Sequence, residues 1–268
     1  MSSKRFELAG GYIPYLELGD PEGRPLVIVP GLSDGLGSVE GKWVGRLTRM
    51  QWGSFTGFRT VVVSRRVPTP MGSTIADMAD DVAGLLRGLG MAPAAVIGES
   101  MGGMIAQELA VRHPDVVGRL VLAVTVAYAD DHLREVVDRW ESLARQRRWK
   151  ESARDAIAMT YTGGSPLLRA PLAWLLGLLP KPAELDRYFA HCEAVRRFDA
   201  RALLKLITCP ALVVGGEADI LTRPEKVREL ASGIPGSELV MLRRAGHAAV
   251  MQRKRQFHSA VTKFLVSP

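Results

Sequence analysis

Three residues far apart in this sequence carry side chains that could together perform nucleophilic acyl chemistry: Ser100, Asp219 and His247. A serine hydroxyl is a weak nucleophile and needs a base. An imidazole base in turn needs a carboxylate to fix its tautomer and support its charge. Ser100 sits in VIGESMGGMIAQ, between a short apolar run and a helical pattern. In that setting G-x-S-x-G has a mechanical meaning. A nucleophile on a sharp strand-to-helix turn is held in strained backbone, and Gly98 and Gly102 lack the Cβ that closely passing chains would meet. The helix starting there aims unpaired N–H groups and its positive dipole end at the site. The N–H of Met101 would therefore point to where an oxyanion forms. Asp219 follows the apolar run ALVV (211–214), and His247 follows ELVML (238–242). If those runs are parallel strands, their C-terminal ends open on one edge and the three residues converge. The alternatives are plain: Ser100 as a simple N-cap, or Asp130 or Asp131 supplying the carboxylate in place of Asp219.

The elements that must position these groups are legible from period and punctuation. Residues 5–8 and 12–18 read as an N-terminal hairpin around Gly10-Gly11. LVIV (26–29), TVVV (60–63), AAVI (94–97), RLVLAV (119–124), ALVV and ELVML read as strands buried on both faces. Helical spacing lies between them: Val44, Leu47 and Met50 on one face, then Ile75, Met78, Val82, Leu85 and Leu86, then Met104, Ile105, Leu109 and Val111. The alternation predicts an α/β fold with a mostly parallel sheet and helices on both faces. From about Val126 to Ile207 the alternation stops and three helical stretches follow, which reads as an insertion between two strands.

The chain resembles α/β-hydrolase-fold enzymes of the serine-nucleophile, esterase- and lipase-like branch. The resemblance rests on VIGESMGG as the nucleophile elbow, PALVVGGEAD as the acid segment and RAGHAAVMQ as the histidine loop, in the family's order Ser, Asp, His. It implies a core domain of residues 1–125 and 208–268 and a helical cap over 126–207. It also implies a second oxyanion donor, the backbone N–H of Leu32 in VPGLSDG. Two departures stand out. Pro30-Gly31 replaces the His-Gly of many relatives, and VVVSRRVPTPMGST replaces an Asp-x-Arg-Gly-x-Gly segment, with Ser64 at the acidic position and Arg65 or Arg66 standing in for the arginine.

The implied activity is cleavage of a small to medium hydrophobic ester, lactone or thioester through an acyl-enzyme, with no cofactor. Ser33, Glu99, Trp174, Leu175 and Leu178 are candidates for the substrate pocket; the last three, with Leu176 and Leu179, would equally serve to pack the cap. Glu99 could tune His247, sit buried in the elbow or line the pocket floor. His113, His132, His191 and His258 read as surface or core histidines, with His191 placed where it could face a substrate. Several chemistries share this triad: a C–C bond hydrolase, a perhydrolase and a cofactor-free oxygenase. A ligand-sensing protein with vestigial hydrolysis also keeps the fold.

Bulk properties are consistent with a hydrolase acting on small molecules. The chain has 268 residues, enough for one large domain with an insertion. Its net charge of +7 comes with basic clusters at 145–150, 243–244 and 253–255, which read as solvated surface, since no nucleic-acid signature accompanies them. No metal-ligand or nucleotide-loop spacing is present, and the two cysteines form no framework. MSSKRFELAG lacks a signal-peptide apolar region, and Ala170–Pro180 is too short to span a bilayer. The expectation is a cytoplasmic monomer or homodimer with no membrane anchor.

Overall fold

The computed structural model describes residues 3–53, 55–162, 171, 173 and 185–267. Trp174, Leu175, Leu176, Leu178 and Leu179 lie outside the described residues. Eight strands form one sheet: β1 (Lys4–Leu8), β2 (Gly11–Gly19), β3 (Arg24–Val29), β4 (Phe58–Val63), β5 (Ala94–Glu99), β6 (Val117–Ala123), β7 (Ala211–Gly216) and β8 (Glu238–Leu242). Their order is β1-β2-β4-β3-β5-β6-β7-β8. β1 and β2 form the antiparallel hairpin and β2 pairs antiparallel with β4; every other pairing is parallel. The chain runs from β3 to β4 on one side, then crosses to β5 on the other. Such a reversal opens a crevice beyond the C-terminal ends of the strands flanking it.

Helices cover both faces. Those with bounds among the described residues are α1 (Lys42–Trp52), α2 (Ile75–Gly88), α3 (Met101–Arg112), α4 (Asp131–Arg145), α5 (Trp149–Thr160), α6 (Asp186–Arg197), α7 (Pro224–Gly233), α8 (Ala249–Gln252) and α9 (Lys254–Val266). The period of two within each strand divides its apolar side chains between two cores. Val27, Val29, Val61 and Val96 pack with α2 and α3. Leu26, Ile28, Val62 and Ile97 pack with Trp52 of α1 and with Phe257 and Val261 of α9. No helix among the described residues is long and apolar enough to cross a membrane.

One helical face departs from expectation. Val44, Leu47 and Met50 do share a side of α1, but Leu47 is 44% and Met50 54% exposed. Trp52, at 2% exposed, is the anchor instead. Its indole packs edge-on against Phe257 of α9, with ring centroids 6.0 Å apart. Gly45, with a virtual Cβ 3.2 Å from the Val39 carbonyl oxygen, lets that side of the helix come close.

α4, α5 and α6 all fall between β6 and β7. The chain leaves and re-enters the sheet region side by side, through an antiparallel bridge of Tyr128 with Asp199. Ala129 N–H donates to the Phe198 carbonyl at 3.0 Å and Ala200 N–H to the Ala127 carbonyl at 2.8 Å.

Candidate active site

β5 ends at Glu99, α3 begins at Met101, and Ser100 alone makes the turn, with φ 55° and ψ −120°. An L-residue at positive φ is strained. Hydrogen bonds on each side of the peptide hold it there. Ser100 N–H donates to the Ala123 carbonyl at 2.9 Å, and the Ser100 carbonyl accepts from Gly103 N–H and the Thr125 hydroxyl, each at 2.8 Å. The turn closes only because its flanks are glycine. A Cβ on Gly98 would lie 2.6 Å from the Gly103 Cα. A Cβ on Gly102 would fall inside the Val29 carbonyl oxygen and 2.7 Å from that of Pro30.

The structure brings Ser100, His247 and Asp219 together from three strand ends. His247 Nε2 lies 2.9 Å from Ser100 Oγ, and His247 Nδ1 lies 3.0 Å from Asp219 Oδ2. Asp219 is 2% exposed and His247 8%. Burial works to raise the Asp219 pKa, but His247 and the hydrogen bonds from Thr222 outweigh it and hold the carboxyl below its ordinary range. An ionised carboxylate only accepts hydrogen bonds. The proton therefore belongs on His247 Nδ1, leaving the Nε2 lone pair facing the Ser100 hydroxyl. Asp130 and Asp131 are occupied elsewhere. Asp130 caps α4 at Leu133 N–H and pairs with Arg223, and Asp131 pairs with Arg134 on the surface.

Thr222 is the participant the sequence reading missed. Its hydroxyl donates to Asp219 Oδ2 at 2.6 Å and lies 3.2 Å from His247 Nδ1, while its N–H donates to Asp219 Oδ1 at 3.0 Å. The signal was local: an aspartate followed three residues later by threonine, ahead of Pro224 at the first turn of α7, is a turn-forming and capping pattern. The histidine loop is tied to the inserted helices. Gln252 accepts from Gly246 N–H at 2.8 Å and donates to the Thr162 carbonyl at 2.9 Å, and Ala248 N–H donates to the Thr160 carbonyl at 2.9 Å.

Leu32 and Met101 each open a helical segment, so neither N–H has an acceptor inside it. Gly31 packs against the nucleophile, with a virtual Cβ 3.3 Å from the Ser100 Cβ and 3.8 Å from Oγ. Ser33 stands exposed on the 3-10 turn that spans Leu32–Leu36. Glu99 is partly buried and accepts from Gln51 of α1 at 3.1 and 3.3 Å. Burial raises its pKa against the pull of His247, Gln51 and Arg65.

Ser64 and the two arginines after it have distinct tasks. Ser64 Oγ accepts from Val39 N–H at 3.0 Å. Arg66 pairs with Asp81 on α2, whereas Arg65 runs inward and donates to the Pro30 carbonyl. Burial, with Arg187 nearby, pushes the Arg65 pKa down to about 10, while Asp34 and Glu99 oppose it. His191, on α6, is fully buried beside Gly35, whose virtual Cβ would lie 2.9 Å from its Nδ1; neither ring nitrogen has a hydrogen-bond partner. Burial, then Arg65 and Arg187, hold its pKa well below 6.5, against the opposing pull of Asp34.

That depression has a testable sign. A histidine that stays neutral in the fold but titrates normally when unfolded makes the unfolded chain bind more protons as pH falls below 6.5. Wild type should lose stability from pH 6.5 downward, by up to about 1.4 kcal/mol per pH unit from this group. Glu99, raised in the fold, contributes with the opposite sign above the usual carboxylate range, so the comparison is made against His191→Gln, which keeps Glu99. Urea midpoints at several pH values between 7.5 and 5.5 should show a shallower acid loss in the variant. Parallel curves would remove the effect.

Residues 24–254 match the model of the alpha/beta hydrolase fold family, and the chain belongs to that family. It is a hydrolase. A protein named "Putative carbamate hydrolase RutD" from Agrobacterium fabrum is 30% identical over 254 residues, 88% of this chain and 92% of that one. Among solved structures, the enol-lactonase from Burkholderia xenovorans LB400 matches with a TM-score of 0.79 at 28% identity, covering 98% of this chain and all of the other. A hydrolase from Pseudomonas aeruginosa PA01 also matches at a TM-score of 0.79; at 24% identity it speaks for the fold alone.

Proposed function

We propose that this chain is a serine hydrolase that cleaves a small to medium hydrophobic carboxylic ester, or a lactone or thioester, through an acyl-enzyme. The observation that carries this reading is the hydrogen-bond chain from Ser100 Oγ through His247 to Asp219, at 2.9 and 3.0 Å. His247 Nε2 takes the hydroxyl proton as Ser100 attacks the carbonyl carbon. The oxyanion that forms is held by the N–H groups of Leu32 and Met101, each contributing about 3–4 kcal/mol to the transition state. The imidazolium, stabilised by Asp219, gives its proton to the leaving group. Water then attacks the acyl-enzyme with His247 again as base, and Ser100 is released. Thr222 keeps Asp219 aimed at Nδ1. Residues 126–207 act as a cap over this site.

A second reading is supported by the relatives named as carbamate hydrolases. A carbamate carbonyl passes through the same tetrahedral oxyanion, so the triad serves both. The test is a series of p-nitrophenyl esters from acetate to decanoate, run beside a p-nitrophenyl carbamate and a simple lactone. The ester reading expects kcat/KM to peak between acetate and hexanoate and to fall at decanoate. A folded protein that turns over the carbamate but none of the esters would replace it with the second reading. No turnover of any of them would favour a ligand-sensing role.

A further inference from the structure

We propose that Arg187, carried on the inserted helix α6, is a positioning residue that clamps the oxyanion loop through Asp34 and so sets how well the tetrahedral intermediate is held. The proposal rests on Ser100 as nucleophile and on the N–H of Leu32 as an oxyanion donor.

The stretch from Pro30 to Asp34 contains Gly31, packed on Ser100, and Leu32. Guanidinium groups grip it at both ends. At the front, Arg65 donates through Nη2 to the Pro30 carbonyl. At the back, Arg187 donates through Nη1 to the main-chain carbonyl of Asp34 and through Nη2 to its carboxylate. The two grips are joined. Arg65 N–H donates to Asp34 Oδ2 at 3.0 Å, Arg65 Nη1 stands 3.6 Å from the same oxygen, and Arg187 Nη2 reaches the Arg65 carbonyl at 3.3 Å. Within the stretch, Asp34 N–H closes back on the Gly31 carbonyl at 3.3 Å.

This network is too buried to be surface decoration. Side-chain exposure is 3% for Asp34, 3% for Arg65 and 15% for Arg187. Taking three charges out of water costs several kcal/mol per ion, and well-packed apolar side chains commonly give equal or better stability. What the ionic arrangement supplies is a defined geometry. A guanidinium fork fixes two acceptors at once, and Arg187 spends its fork on the side chain and main chain of one residue. A main-chain N–H acts as an oxyanion donor only within narrow limits of distance and direction, and displacement of about 1 Å can cost about 100-fold in rate. Asp34 and Arg187 are 153 positions apart in sequence, so the insertion has a hand in the oxyanion hole as well as in any substrate pocket.

The test uses Arg187→Met, Arg187→Lys and wild type in the full chain. Each is treated with an alkyl fluorophosphonate and followed by intact mass. Ser100 Oγ attacks phosphorus, His247 takes the hydroxyl proton, the P–F bond breaks and fluoride leaves, while the phosphoryl oxygen occupies the oxyanion hole. Arg187→Met is expected to label Ser100 about 10- to 100-fold more slowly than wild type. Its kcat on the best p-nitrophenyl ester should fall by a similar factor while KM stays within about two-fold. Arg187→Lys, with charge but no fork, should fall between the two. A merely structural role would lower the melting temperature and active fraction without this split. Labelling of folded Arg187→Met at the wild-type rate, or a loss confined to KM, overturns the proposal and leaves Ser100 as nucleophile intact. If Arg187→Met does not fold, a folded Arg187→Lys with wild-type labelling overturns it equally. Failure of wild type to label at Ser100 would remove the underlying reading, and the clamp with it.

Discussion

Replacing Ser100 with alanine is expected to lower kcat on the best ester by about 10⁴- to 10⁶-fold while the fold survives. Oγ is the only heavy atom removed, and a methyl group fits the space. The variant keeps the backbone donors at Leu32 and Met101, so residual turnover above the uncatalysed rate should remain. His247→Ala should cost a similar factor, because the base and nucleophile act as one unit. The double variant should lose little more than either single one, since effects within such a unit are far from additive. Steady-state kinetics on the two single variants and the double decide this. Additive losses would mean that Ser100 and His247 act in separate steps or at separate sites.

The largest expected effect on stability comes from Gly102→Ala. Its Cβ would fall inside the Val29 carbonyl oxygen and 2.7 Å from the Pro30 carbonyl oxygen, both main-chain atoms that cannot swing away. The helix start, the end of β3 and the oxyanion loop would have to move apart. Overpacking of this kind typically costs 1–3 kcal/mol where side chains can yield, and more is expected here because the obstacle is backbone. Loss of about 4 kcal/mol or more, or failure to accumulate as folded protein, is the predicted result. Gly84 is the matched control. It lies inside α2 with nothing within 4 Å of a virtual Cβ. Gly84→Ala should therefore stabilise by about 0.4–1 kcal/mol, from helix propensity and a less disordered unfolded chain. Chemical denaturation of the two variants measures both; a benign Gly102→Ala would contradict the packing described at the elbow.

The contrast between these glycines also shows what was readable in the chain. Gly98, Ser100 and Gly102 signal their arrangement locally, because an apolar run, a tight turn and a helical period adjoin within a dozen residues. The strands were legible for the same reason: a continuous Val/Ile/Leu run needs apolar neighbours on both faces. RLVLAV is trimmed at one end, since Val124 adopts φ 45° and leaves the strand at Ala123. The burial of α1 was not legible. Leu47 and Met50 have correct helical spacing, but Trp52 and the Gln51–Glu99 contact decide which side faces inward, and both depend on partners distant in sequence. The clamp of Asp34, Arg65 and Arg187 was hidden likewise. Arginine and aspartate are ordinary surface residues until a fold brings them together, and no periodicity marks a long-range ion pair. His191 could be placed in the insertion but not against Gly35, because that contact exists only once α6 is docked.

The most direct test of the central claim is to trap the covalent intermediate. Wild-type protein mixed with p-nitrophenyl butyrate, quenched in acid during turnover and digested, should carry a butyryl group on the peptide that contains Ser100. The same treatment of Ser100→Ala should give no adduct, with turnover reduced to the residual level that the backbone donors alone support. Turnover in the alanine variant near the wild-type rate, or a butyryl group on any residue other than Ser100, would contradict Ser100 as the nucleophile.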